Sequence, residues 1–410
     1  MSEDQPERSP NGERSALTKE SGTGATVPLG VYVHWPYCAK ICPYCDFNVF
    51  RARGREAEAA DLARAIVADL EAQRALTGPR RLVSVFFGGG TPSLMDPAWV
   101  AEIVTAARRL WTPAADLEVS LEANPTDAEA GRFAALVDAG VTRLSLGLQS
   151  LDDAALKFLG RNHDAAEGRR AAEAAARAFP RLSLDLIYAL PDQTPAGWAE
   201  ELRRAIALGA EHISPYQLTI ETGTAFDRAV RRGSFRPADE DLGAELYETT
   251  QATLEAEGFE AYEVSNHARG PAARSRHNLV YWKGWDYVGA GPGAHGRLTL
   301  SGAREATKAA DRPADYIRQV AETGTGFDER EALTPVEAAE ERLLSGLRIV
   351  EGVPFADLSA LALRPDRPIV RRMVELGLVA EDPRRLRATP EGRRILDRLT
   401  MELAAASPPA

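Results

Sequence analysis

Cys38, Cys42 and Cys45 are the only cysteines in the chain, and their spacing, C-x-x-x-C-x-x-C, puts three thiols on one short loop flanked by Pro36 and Pro43. An odd, clustered set cannot be a disulfide framework. Three soft thiolates can hold three corners of an iron–sulfur cubane and leave the fourth iron open to another ligand. The competing readings are a zinc site and buried structural thiols. Structural zinc takes four ligands, and the chain has no fourth cysteine. A catalytic zinc on three thiolates would be a poor Lewis acid. A 4Fe–4S cluster is therefore the expected occupant.

The elements that must position these thiols show in the hydropathy pattern. Short apolar, β-branched runs at 30–35, 82–87, 117–123, 142–148, 182–188 and 212–218 read as strands. Between them run amphipathic stretches: Leu62, Ile66, Val67 and Leu70 form one apolar stripe, and further helices fall near 96–110, 126–139, 164–178, 195–208 and 238–257. Six such repeats with nearly continuous apolar strands imply an α/β fold with a parallel sheet buried on both faces. The unusual polar and glycine clusters sit at or near the C-terminal ends of strands: the cysteines, Gly88-Gly89-Gly90-Thr91, Glu122, Gln149, Asp185 and Tyr216-Gln217. In parallel α/β folds that rim binds ligands, because loops and helix N-termini converge there. One site is expected.

At 410 residues the chain should hold one large domain and one or two smaller ones. The net charge of −11 argues against nucleic acid as the main partner, since phosphate binding needs a basic face. No run approaches the roughly 20 apolar residues of a bilayer span. Residues 1–28 are polar, lack the apolar run of a signal peptide and read as a disordered leader, which implies a cytoplasmic protein. Beyond residue 258 the strand–helix rhythm breaks. The segment 266–330 reads as an aromatic-rich region and linker. The segment 331–410, with helices at 334–350 and 367–379, a short hairpin and a last helix, reads as a winged-helix-like domain. Winged helices bind DNA grooves in some proteins; on an acidic chain a lid, a homodimer contact or a partner surface is expected instead.

The segment VYVHWPYCAKICPYCDFN resembles the signature of the radical S-adenosylmethionine superfamily. In order along the chain, GGGTPSL, LEANP, LGLQSLDD, LGRNH, LDLIYALPDQT, HISPYQLTIE, YEVSN and HNLVYW resemble the oxygen-independent coproporphyrinogen-III oxidase family, with its haem-chaperone branch the closer fit. The resemblance implies a partial (β/α)6 barrel over 29–265 and S-adenosylmethionine chelated to the open iron of the cluster. It also implies that Tyr32 and Tyr44 border that cofactor. Gly89, Gly90 and Thr91 would line its binding loop, and Glu122, Gln149, Arg161 and Asp185 would be its polar contacts. It further implies haem as a ligand and haem-accepting apo-proteins as partners. Phe47 stands where the oxidase has a further cysteine, and residues 1–28 lack its gating segment; both favour the chaperone. The alternatives are a radical enzyme acting on a tetrapyrrole, either the oxidase or a methyltransferase, and a DNA-binding regulator that senses cluster state.

His277-Asn278-Leu279-Val280-Tyr281-Trp282 matches a haem-associated motif of that branch. An imidazole suits haem iron as an axial ligand, and the other reading is a core histidine with aromatics packed around it. The expectation is that His277 binds haem. Gly291-Pro292-Gly293-Ala294-His295-Gly296 satisfies GxGxxG, but no βαβ unit surrounds it and it reads as a close-packed loop.

Overall fold

The computed structural model describes residues 26–405, so all but the last residues of the polar leader expected over 1–28 lie outside the described residues. The expected strands are present as β1 (Pro28–Trp35), β2 (Arg81–Gly89), β3 (Thr112–Ala123), β4 (Arg143–Gln149), β5 (Arg181–Tyr188) and β6 (His212–Gln217). Each pairs in parallel with the next in sequence. The intervening helices include Glu56–Thr77, Pro97–Leu110, Ala165–Ala178, Pro195–Ile206 and Glu240–Ala256. Their starts follow local chemistry: Asp96, Asp164, Thr194 and Asp239 each accept a hydrogen bond from a backbone N–H of the first turn. The helix expected over 126–139 is two, Asp127–Ala130 and Phe133–Asp138, with the weak helix former Gly131 at the break.

The six strands do not close on one another. The free edge of β1 is taken by a further parallel strand, β7 (Asp286–Ala290), with Leu29 opposite Asp286 and Val33 opposite Ala290. Antiparallel β8 (His295–Leu300), β9 (Ala303–Ala309) and β10 (Phe327–Ala332) continue the sheet outward. At the other end His267–Ala268 and Glu260–Ala261 add two short antiparallel strands to β6. The result is one open, curved sheet of twelve strands. The segment 266–330 is therefore built into the sheet and is not a linker. Its period-2 pattern is hidden because its strands are short and two of them carry glycines, Gly289 and Gly296.

Alternate strand residues divide the sheet into two environments. Val31, Val33, Val85, Phe87, Leu121, Leu144, Leu146 and Leu184 join Leu62, Ile66, Ile103, Trp198 and Leu202 of the surrounding helices in one buried core. Their neighbours in the strands point into the concave side, and many are polar: Arg143, Ser145, Asp185 and Ser214. A parallel strand is normally apolar on both faces; these are not.

The added strands are tied to the barrel by a buried polar junction. Asp69, on the helix after β1, accepts from the Tyr316 hydroxyl at 2.7 Å and from Gln73 at 3.1 Å, and Gln73 also donates to the Gly289 carbonyl at 2.8 Å. Burial pushes the Asp69 carboxyl up to about 6 although both donors oppose it. Tyr316→Phe removes the shorter of these bonds and leaves a buried acceptor short of a partner. The expected cost is about 2 kcal/mol, read as a lowered urea midpoint.

The C-terminal domain has its own core, with Leu343, Leu347, Leu358, Val370, Met373, Leu386 and Leu399 at its centre. Its helix Pro335–Gly346 carries a complete capping box between Thr334 and Glu337. The expected hairpin is reduced to short pairings, Val353–Pro354 with Arg385–Leu386 and Val379 with Ala388. Ion pairs of Arg348 with Glu263, Arg274 with Glu351 and Arg304 with Glu341 fasten it to the sheet end.

Candidate functional site

The cysteine loop is a closed excursion from β1. Tyr37 and Cys38 pair with Phe50 and Arg51, and the Phe50 N–H donates to the Pro36 carbonyl at 2.7 Å, so both ends are pinned. Within it the Cys45 N–H donates to the Cys42 carbonyl at 3.2 Å. All three thiols are free; Cys38 is buried, while Cys42 and Cys45 are partly exposed. Burial raises the pKa of the Cys38 and Cys45 thiols above the ordinary value, and contact with Thr91 opposes this at Cys38. Among the described residues, no three His, Cys, Asp or Glu side chains converge as a single metal ion would require.

The loop after β2 is stitched to this excursion. The Gly90 N–H donates to the Trp35 carbonyl at 2.7 Å and the Thr91 N–H to the Tyr37 carbonyl at 2.9 Å. Gly89 has φ +108, and a Cβ there would lie 2.6 Å from the His34 ring. Only glycine fits so close. Its N–H donates to Glu122 at 3.1 Å, which joins the glycine loop to the end of β3.

These elements surround a cavity of about 600 Å³ at the C-terminal ends of the strands and reaching into the concave face. Every residue expected at the site lines it: Tyr32, Cys38, Cys42, Tyr44, Cys45, Gly89, Gly90, Thr91, Glu122, Gln149, Arg161, Asp185 and His277. Arg161 is its electrostatic centre. Its guanidinium donates to Asn124 at 2.6 Å and the Gly147 carbonyl at 2.9 Å, and approaches the Cys42 sulfur at 3.4 Å. Arg161 and Arg143 both line the cavity and put two cationic side chains against whatever fills it; their Nε atoms are buried and have no partner. Glu122 and Asp185 face the same space. Burial, then the neighbouring Asp185 charge, pushes Glu122 up to about 8, against the Gly89 N–H. Burial also raises Asp185, against hydrogen bonds from Ser145, Ser214 and Ser183. Gln149 has φ +63, an uncommon backbone for a residue with a side chain, and such outliers gather at functional sites.

His277 borders the cavity from a packed position. It lies on the helix Arg276–Trp282 and is buried, with Nδ1 hydrogen-bonded to Ser84 at 2.9 Å and Nε2 to the Tyr281 hydroxyl at 2.7 Å. Its ring stacks on Phe86 at 4.8 Å and on Tyr32 at 6.2 Å. Burial, then Arg143, lowers its pKa to about 3, so the imidazole is neutral. As folded it has no nitrogen free for an iron. The structure gives it the other expected surroundings, those of a packed core histidine.

Residues 32–205 match the radical SAM superfamily and residues 333–395 the HemN C-terminal domain. Radical S-adenosyl methionine domain-containing protein 1, mitochondrial, of Bos taurus is 42% identical over 91% of this chain and 86% of its own length. Heme chaperone HemW of Escherichia coli is 34% identical over 91% of this chain and 97% of its own. HemW of Mycobacterium tuberculosis is 36% identical, covering 92% and 95%. The chain belongs to the HemW family of radical SAM proteins. The solved coproporphyrinogen III oxidase HemN of E. coli shares the fold, with a TM-score of 0.75 at 22% identity, covering 92% of this chain and 90% of that one.

Beyond the expected residues, the cavity of this HemW-family chain includes Asn124, Arg143, Ser145, Ser214 and Asn266. The signal for Arg143, Ser145 and Ser214 was an alternation inside apolar strands: Arg143, Ser145 and Gly147 in β4, Ser183 and Asp185 in β5, Ser214 and Tyr216 in β6. Polar side chains two apart share a sheet face, so this pattern marks a wet interior. Asn124 stands two residues after Glu122, just past the end of β3, and orients Arg161 while donating to Thr91 at 3.1 Å. The GxGxxG stretch is the close-packed turn between β7 and β8, where a Cβ on Gly291 would lie 2.2 Å from the His34 carbonyl.

Proposed function

We propose that this chain is a haem chaperone that holds a 4Fe–4S cluster on Cys38, Cys42 and Cys45 with S-adenosylmethionine beside it, and passes haem to acceptor proteins. The observation that carries the reading is the convergence of three otherwise unassigned thiols, the glycine loop and a polar barrel interior on one cavity, in a chain whose relatives include proteins named heme chaperone HemW. The residues present fit the group: three soft thiols on one short loop, all lining the cavity, suit a polynuclear cluster with one iron left open. Arg143 and Arg161 in the cavity lining suit a carboxylate-bearing cofactor.

When bound, the cluster and cofactor together supply one-electron cleavage of a carbon–sulfur bond. The chain's part is positional. Arg161 spans the cluster loop and the ends of β3 and β4, so the cofactor wall and the Cys42 thiolate move together. Gly89 keeps the backbone low enough for a close approach, and Glu122 sits behind it to receive a cationic group. The mitochondrial names among the relatives belong to those proteins; we place this chain in the cytoplasm, and no helix of the described residues is long and apolar enough to cross a membrane.

The radical-oxidase alternative differs in product. Protein reconstituted anaerobically with iron and sulfide, then given reductant, S-adenosylmethionine and coproporphyrinogen III, is expected to yield no protoporphyrinogen IX while binding haem stoichiometrically. Turnover of the porphyrinogen, or absence of haem binding, overturns the proposal.

A further inference from the structure

If haem is held, an iron ligand is needed, and the sequence offers six histidines. His34, His163, His212, His267 and His277 are buried. The ring nitrogens of His34 are taken by Tyr32 and Asn48, those of His212 by Ser183 and Tyr262, and those of His277 by Ser84 and Tyr281. His163 and His267 each make one ring hydrogen bond and are enclosed by the fold. His295 is exposed, and among the described residues neither of its ring nitrogens has a hydrogen-bond partner.

His295 opens β8 and lines a groove of about 470 Å³ with Tyr32, Phe47, Tyr281, Tyr287 and Lys308. Phe47 is 59% exposed, an unusual setting for so large an apolar ring. The groove is built, not incidental. Asn48, next to Phe47, donates to the Pro292 carbonyl at 3.0 Å and the Asp311 carbonyl at 2.7 Å, which clamps the turn carrying His295 onto the end of the cysteine loop. The groove shares Tyr32, Phe47, Gly89, Glu122 and Tyr281 with the barrel cavity, so the two spaces meet along one wall.

We propose that this groove is the haem site and that His295 is the axial ligand to its iron, resting on the haem-binding reading above. A planar, largely apolar iron porphyrin needs aromatic surface, an open edge for its carboxylates and one nitrogen lone pair. The groove has the first in Phe47 and Tyr287, the second on its solvent side and the third in His295. Partial burial, then the Arg297 and Lys308 charges, lowers the pKa of this imidazole, against Asp311 and Glu329, and so favours its neutral form. Haem would then lie beside the cluster loop and outside the barrel, leaving the inner cavity to the smaller cofactor.

The test is titration of hemin into the full, cluster-loaded chain, followed by Soret absorbance and magnetic circular dichroism. His295→Ala should weaken binding by about tenfold or more and remove the histidine-ligated spectrum, with free imidazole restoring that spectrum. His277→Ala should keep both the spectrum and the stoichiometry. Unchanged iron content and circular dichroism show that each variant is folded. Wild-type affinity and an unchanged Soret band in His295→Ala overturn the inference, and loss confined to His277→Ala places the ligand inside the barrel. Failure of the unmodified chain to bind hemin removes the chaperone reading and this inference with it.

Discussion

Replacing any one of Cys38, Cys42 or Cys45 with alanine is expected to leave the anaerobically reconstituted protein without its brown absorbance, without bound iron above background and without the reduced-cluster electron paramagnetic resonance signal. The effect should be close to complete, because a cubane already held at only three corners has no protein ligand in reserve. The three losses should be alike despite different surroundings, with Cys38 buried and Cys42 and Cys45 partly exposed. A structural role predicts otherwise: the buried Cys38 alone would matter to folding, and the partly exposed thiols would tolerate replacement. Far-ultraviolet circular dichroism separates the cases, since the loop is pinned by backbone bonds from Phe50 to Pro36 and from Ala52 to Cys38 that survive side-chain loss. The variants should therefore stay folded and colourless. Air should bleach the wild type in the same way. A variant that retains full iron would remove its cysteine from the ligand set.

The parts of this arrangement that were readable in the sequence share a physical reason. Strands β1 to β6 carry apolar residues on the helix-facing side and are separated by amphipathic helices, so their order follows from local pattern, although β3 begins at Thr112, ahead of its expected apolar run. The cysteines, Gly89, Glu122, Gln149 and Asp185 stand at strand ends or on inward strand positions, and parallel topology brings such positions to one place whatever the loops do. The strands β7 to β10 were not readable, because β7 and β8 carry Gly289 and Gly296 and the series is anchored only where β7 pairs with β1, a partner more than two hundred residues away. The surroundings of His277 were equally hidden. Its motif names the neighbours Tyr281 and Trp282, but the bonds that close it come from Ser84 on β2 and from the hydroxyl of Tyr281, one helical turn on. Arg161 was identified by motif; that it bridges Asn124, Gly147 and Cys42 is a tertiary fact.

Glu122→Gln should stabilise the cofactor-free protein at alkaline pH and weaken S-adenosylmethionine binding. The sign follows from the raised carboxyl. Folding carries Glu122 from an ordinary glutamate value near 4.5 to about 8, so between those pH values the folded chain holds a proton that the unfolded chain has lost. Stability contributed by this group is thus undiminished below about pH 4.5, falls as pH rises, and is fully forfeited above about pH 8. The whole penalty is on the order of 4 kcal/mol. Glutamine has nothing to ionise. The variant should therefore unfold at higher temperature than the wild type at pH 9, with the gap closing toward acid. The strain has a use if a cationic group binds beside it, because the cation makes ionisation of Glu122 favourable and a proton leaves as it binds. Affinity of the cluster-loaded wild type should then rise with pH up to about 8 and level off. The variant should bind about tenfold more weakly and show only the cofactor's own titration. Calorimetry in buffers of different ionisation enthalpy counts the released proton directly. Equal proton release in the two proteins would mean that Glu122 does not face the bound cation, and its raised pKa would be a cost of the fold alone.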